Sequence, residues 1–124
     1  MKYYAKVLEI HSDIDEEVLL CCGEIDLYCF ISSYPYKITA GKTYPVNISL
    51  SFLDAEVVEP QLRADLSATR QGDSFSYEIR GFKVNDKIFI NGLAFCDEIY
   101  MREYSYINHE YIVMRPDRIS VSFL

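Results

Sequence analysis

A chain of 124 residues, half of them apolar, is sized for a single domain spanning 1–124 with a core of its own, and its composition excludes a disordered chain. Twelve Lys and Arg against 19 Asp and Glu leave a formal net charge of −7 with no two cations adjacent, which disfavours nucleic acid and anionic membranes and makes a basic protein the natural partner. The opening Met1-Lys2-Tyr3-Tyr4 has no apolar leader and no apolar run reaches membrane-spanning length, so a cytoplasmic protein with no membrane contact is expected.

Eleven Tyr and seven Phe tilt the chain toward strands. Tyr3 to Ile10 reads as the first, with Tyr3, Ala5, Val7 and Glu9 on one side and Tyr4, Lys6, Leu8 and Ile10 on the other. Neither side is cleanly apolar, so either a bend or a position between the core and a partly covered surface is expected. His11 to Glu17 breaks the pattern. Its alternating Asp13, Asp15 and Glu17 lack the glycine and the further oxygen ligands of a calcium loop, and a solvated turn is predicted.

Val18 to Cys22 is a continuous apolar run ending at Gly23. Residues 17–31 are predicted to form one long strand kinked near Gly23, with a tight hairpin as the alternative. Within it, Ile25, Leu27, Cys29 and Ile31 alternate with Glu24, Asp26, Tyr28 and Phe30. Beyond a connection containing Pro35 and Gly41, Val46, Ile48, Leu50 and Phe52 alternate with Asn47, Ser49 and Ser51. The two arms are predicted to pair antiparallel across that long connection.

Asp54 to Asp73 is the one helical candidate. Pro60 suits a first turn, Leu62 and Leu66 fall four apart on one side, and Gln71-Gly72-Asp73 ends it as a turn. A second hairpin is predicted over Ser74 to Cys96, in which Phe75, Tyr77, Ile79 and Gly81 alternate with polar neighbours. Asn85-Asp86 is its turn, Asn91-Gly92 competes, and Gly81 marks a bend. Asp97 to Glu110 is an acidic, tyrosine-rich strand or loop. Tyr111 to Met114 and Arg118 to Phe123 close the chain, with Ile119, Val121 and Phe123 toward the core. Ile25, Leu27, Val46, Ile48, Leu50, Ile90 and Val121 are expected to be buried together.

The sum is a mostly β fold. Strand, long kinked strand, strand, helix, hairpin and strand in this order resemble the OB-fold, a five-stranded Greek-key barrel with a helix after its third strand. That resemblance implies a small five- or six-stranded antiparallel barrel with one short helix. Another small barrel and a compact sandwich are the competing architectures.

Chemistry finds little in this sequence. Cys21, Cys22, Cys29 and Cys96 have neither zinc nor disulfide-framework spacing and are expected to be free thiols. His11 and His109 have no nucleophile motif beside them, and phosphate and dinucleotide loops are absent, so neither an enzyme nor a cofactor or metal is expected. The aromatic residues carry the functional expectation. Tyr100, Tyr104 and Tyr106, with Glu103, form an acidic, tyrosine-rich surface, and Tyr28 and Phe30 stand on the outer face of their strand. They point to a non-enzymatic module binding a basic protein or a second copy of the chain. In size, acidity and lack of catalytic motif the chain resembles bacterial toxin-immunity proteins. The alternative is an OB-type single-stranded nucleic-acid binder using Tyr28 and Phe30 with Lys37, Lys42 and Arg80.

Overall fold

The computed structural model describes residues 2–10, 16–33, 36–52, 58–96 and 104–124. Among the described residues eleven strands form two sheets and no α-helix occurs. The first sheet contains β1 (Lys2–Ile10), β2 (Glu17–Cys22), β3 (Ile25–Ser33), β4 (Thr43–Ser51) and β11 (Arg118–Phe123). Hydrogen-bonded neighbours run β1-β2-β3-β11-β4 and return from β4 to β1, so each of these strands has two partners. Alternation decides which side chains face inward. Ala5 and Val7, Val18 and Leu20, Leu27 and Cys29, Val46 and Ile48, and Ile119 and Val121 are all buried. The expected bend in β1 is a register shift against β2 between Val7 and Glu9.

The second sheet holds β5 (Val58–Pro60), β6 (Ser67–Arg70), β7 (Tyr77–Val84), β8 (Lys87–Ile90), β9 (Leu93–Cys96) and β10 (Glu110–Met114). Its order is β5-β10-β7-β8-β9, with β6 also pairing β7. Ile79, Ile88, Ile90, Leu93, Phe95, Ile112 and Met114 line its inner face, and they join the inward side chains of the first sheet in one apolar cluster. Two tyrosine hydroxyls tie the sheets together. Tyr3 Oη donates to the Ala94 carbonyl at 3.0 Å and accepts the Ala94 N–H at 2.7 Å, while Tyr77 Oη accepts the Tyr28 N–H at 2.7 Å.

Several expectations are corrected. Gly23 is the first residue of a two-residue turn with φ 63°, so residues 17–31 make the hairpin of β2 and β3 rather than one kinked strand. The arms 25–33 and 43–51 do not pair. β11, from the far end of the chain, lies between them, antiparallel to β4 and parallel to β3, so the sheet is not purely antiparallel. The helix across 54–73 is replaced by β5, β6 and an irregular link, its first residues falling outside the described ones. Leu62 is fully exposed and Leu66 is exposed, so an amphipathic helix would have no core to bury them against. Pro60 instead ends the short edge strand β5, where a missing N–H is tolerated. Both competing turns exist. Asn85 (φ 56°) joins β7 to β8, and Asn91 (φ 37°) with Gly92 (φ 84°) joins β8 to β9, so the predicted hairpin is a three-stranded meander. Among the described residues the five or six expected strands are therefore eleven, because the kinked strand is two, β9 follows β8 as a separate strand, and the short β5 and β6, of three and four residues, stand where a helix was expected. Of the residues expected in the core, Ile25 is half-buried and the others are buried. Among the described residues no helix is long and apolar enough to cross a membrane.

Candidate functional site

Among the described residues the thiols are poor nucleophiles. Cys21, Cys22 and Cys29 are free thiols. Burial pushes Cys22 up to about 11 and Cys29 upward as well, and a hydrogen bond with Asp26 raises the more exposed Cys21. A reactive cysteine needs its thiolate favoured, and all three are shifted the other way. The side chain of Cys96 and His11 lie outside the described residues. His109 is exposed in the left-handed region (φ 55°). Among the described residues no three His, Cys, Asp or Glu side chains gather at a metal-sized site.

Tyr28 and Phe30 stand on the outer face of β3, opposite the buried Leu27, Cys29 and Ile31, as the alternation requires. Both are half-buried, because the β6–β7 end of the second sheet packs over them. The Arg70 guanidinium lies 4.0 Å from the Tyr28 ring centroid and reaches Glu17 Oε1 at 2.6 Å. Arg118 lies 4.4 Å from the Phe30 centroid, and Phe75 meets Phe30 edge-on at 5.6 Å. These rings already carry cation–π and aromatic partners from the chain itself. Lys37 and Lys42 are exposed on the link before β4, whereas Arg80 is on the second sheet and engaged by Glu78 at 2.8 Å.

Tyr100 and Glu103 lie outside the described residues. Tyr104 and Tyr106 do come together, with ring centroids 6.2 Å apart, but in different surroundings. Tyr104 is half-buried against the core, while Tyr106 is 77% exposed. The Ile107 N–H donates to the Tyr104 carbonyl at 2.9 Å, closing a turn with Tyr106 inside it. Four more hydrogen bonds clamp this turn to the β7–β8 hairpin. Fully buried Lys83 donates from Nζ to the Ile107 carbonyl at 2.6 Å, and its own carbonyl accepts the His109 N–H at 2.8 Å. Asn108 Oδ1 accepts the Asn85 N–H at 2.7 Å, and Asn108 Nδ2 donates to Asn85 Oδ1 at 3.1 Å. The exposed Tyr106 therefore sits on an ordered backbone.

A second surface escaped the sequence reading. On the outer face of the second sheet, Tyr111 of β10, Phe82 of β7 and Phe89 of β8 are consecutive cross-strand partners. Phe82 and Tyr111 have ring centroids 5.0 Å apart, and Phe89 is 43% exposed. Beside this row the link 61–66 folds against β10, held by Gln61 Nε2 donating to the Ile112 carbonyl at 2.6 Å. It bounds a cleft of about 440 Å³ lined by Leu62, Arg63, Arg80, Val113 and Arg115. The signal was that Phe82 shares a strand face with Glu78 and Arg80, but joining it to Tyr111 requires the β7–β10 pairing.

A family model described as "Uncharacterised conserved protein UCP019853" matches residues 1–124. No curated protein and no solved structure matches the chain.

Proposed function

The chain belongs to the UCP019853 family over residues 1–124, and we propose that it is a non-enzymatic binding module whose turn bearing Tyr106 contacts a protein partner. The observation that carries this is an aromatic side chain 77% exposed on a turn clamped by buried Lys83 and by Asn108. A tyrosine offers a large, amphipathic contact area with few torsions to freeze. Ordering the backbone beforehand lowers the entropy lost on docking. Tyr104 anchors the turn from below. Tyr100 and Glu103 shortly precede Tyr104 in the same acidic, tyrosine-rich stretch of sequence. A net charge of −7 favours a basic partner, a character shared with toxin-immunity proteins.

The strand order β1-β2-β3-β11-β4, returning to β1, supports reading the first sheet as an OB-like barrel. It is also what supports the alternative of a single-stranded nucleic-acid binder. Against that alternative, Arg70, Arg118 and Phe75 already lie on the rings of Tyr28 and Phe30, where bases would stack.

The test compares wild type with Tyr106→Ala. The expected outcome is a defined protein retained from cell extract by wild type, about tenfold more weakly held by the variant. The thermal midpoint should be unchanged, and a labelled single-stranded oligonucleotide should give no anisotropy response. A saturable oligonucleotide response, or retention indifferent to Tyr106→Ala, would reject the proposal.

A further inference from the structure

We infer that the outer face of the second sheet is a self-association surface on which a second copy of this chain docks, independently of the Tyr106 turn. The centre of the face is apolar. Tyr111, Phe82 and Phe89 form a row across three strands, extended at the cleft by Val113 and by Leu62, whose side chain is fully exposed. A row of partly exposed rings beside a leucine fully in water is the pattern of an interface core.

Charge selects the occupant. Around the cleft, Arg63, Arg80 and Arg115 are matched by Glu59, Asp65 and Glu78, three guanidinium groups against three carboxylates. Arg80 Nε meets Glu78 at 2.8 Å, while Arg115 lies 3.5 Å from Glu78 and 3.7 Å from Glu59. The cleft end of the face is balanced and the outward Lys87 of β8 adds one positive charge beside Phe89, so the net negative charge of the chain is carried by the rest of the molecule. A strongly basic partner gains least here and most elsewhere. A second copy is net acidic outside this face and can approach on this one, where both signs are present for an isologous, two-fold contact. Strands about 4.8 Å apart make a five-stranded face roughly 20 Å across. A face of that width is smaller than a standard interface, so the association is expected to be weak and concentration-dependent, with a dissociation constant on the order of tens of micromolar.

Ionic strength distinguishes this contact from docking to a basic partner. Salt screens the repulsion between two acidic chains but leaves an aromatic core intact, so self-association tightens as salt rises, whereas attraction to a basic partner weakens. The experiment is sedimentation equilibrium of the full chain, with Phe89→Asp and Leu62→Asp as variants, at about 20 and about 200 mM salt, bracketing the range over which screening becomes strong. Leu62 is fully exposed, so its replacement removes no packing and keeps the test valid should the change in β8 unfold the chain. The expected result is a monomer–dimer equilibrium that tightens with salt and a dissociation constant raised about tenfold or more by either variant. Tyr106→Ala should dimerise as wild type does. A wild type that remains monomeric up to about 0.5 mM, well above a dissociation constant on the order of tens of micromolar, would overturn the inference. So would two variants that associate as wild type does.

Discussion

Tyr77 is 2% exposed, with its hydroxyl against the Tyr28 N–H, and burial pushes its pKa from 10.0 up to about 12, the N–H donation working in the opposite direction. The folded chain thus favours the neutral phenol. That contribution is complete below about pH 10 and is lost as pH rises through about 12. Cys22, raised by burial from 9.0 to about 11, acts with the same sign from slightly lower pH. The urea midpoint is expected to fall between about pH 9 and 12. Tyr77→Phe should make the fall shallower above pH 10, while losing roughly 1–3 kcal/mol at neutral pH because the Tyr28 N–H is left without its acceptor. Denaturant titrations at half-unit pH intervals check this, and stability rising with pH would contradict it. The inward direction of Tyr77 was legible from its alternation with Glu78. Its partner, 49 residues away, was not.

At the scale of elements, Gly81 lies on the inner side of β7 against its sheet neighbour β8. A Cβ there would fall on Ile88 Cγ2 and 2.9 Å from the Phe89 carbonyl oxygen. Backbone and a β-branched side chain cannot yield cheaply, so Gly81→Ala is expected to destabilise the chain by about 1–3 kcal/mol. Chemical denaturation measures this directly, and a neutral Gly81→Ala would show that β7 and β8 are farther apart than they stand here. The sequence marks Gly81 only as a bend. The reason for the glycine is the closeness of the neighbouring strand, not a special φ. The turns at Asn85-Asp86 and Asn91-Gly92 were legible for the opposite reason, since positive φ is a local demand met by local residue choice.

Over the whole molecule, the inward faces of both sheets meet in one cluster, so the two sheets should unfold together. Ile48 is 1% exposed within it. Ile48→Ala is expected to lower the stability of a single transition by about 2–5 kcal/mol through the cavity it leaves. Separate transitions for the two sheets, or a loss well under 1 kcal/mol, would contradict one shared core. Calorimetry combined with near-ultraviolet dichroism distinguishes the cases, because tyrosines lie in both sheets.

Alternation by itself determined that this chain is mostly β and which side of β3, β4, β7 and β11 is buried, because a strand's two faces are written at every second residue. It also put Tyr28 and Phe30 on an outer face. It did not determine what covers that face, since Arg70, Phe75 and Arg118 arrive from other strands. The tyrosines of the 97–110 segment were visible as a composition, but the division between packed Tyr104 and exposed Tyr106 depends on where Lys83 and Asn85 hold the turn. β3 and β4 looked like partners because they are consecutive and both amphipathic. The tertiary structure places β11 between them, because pairing in a sheet is set by which edges remain open after the chain has returned, and nearness in sequence carries no record of that.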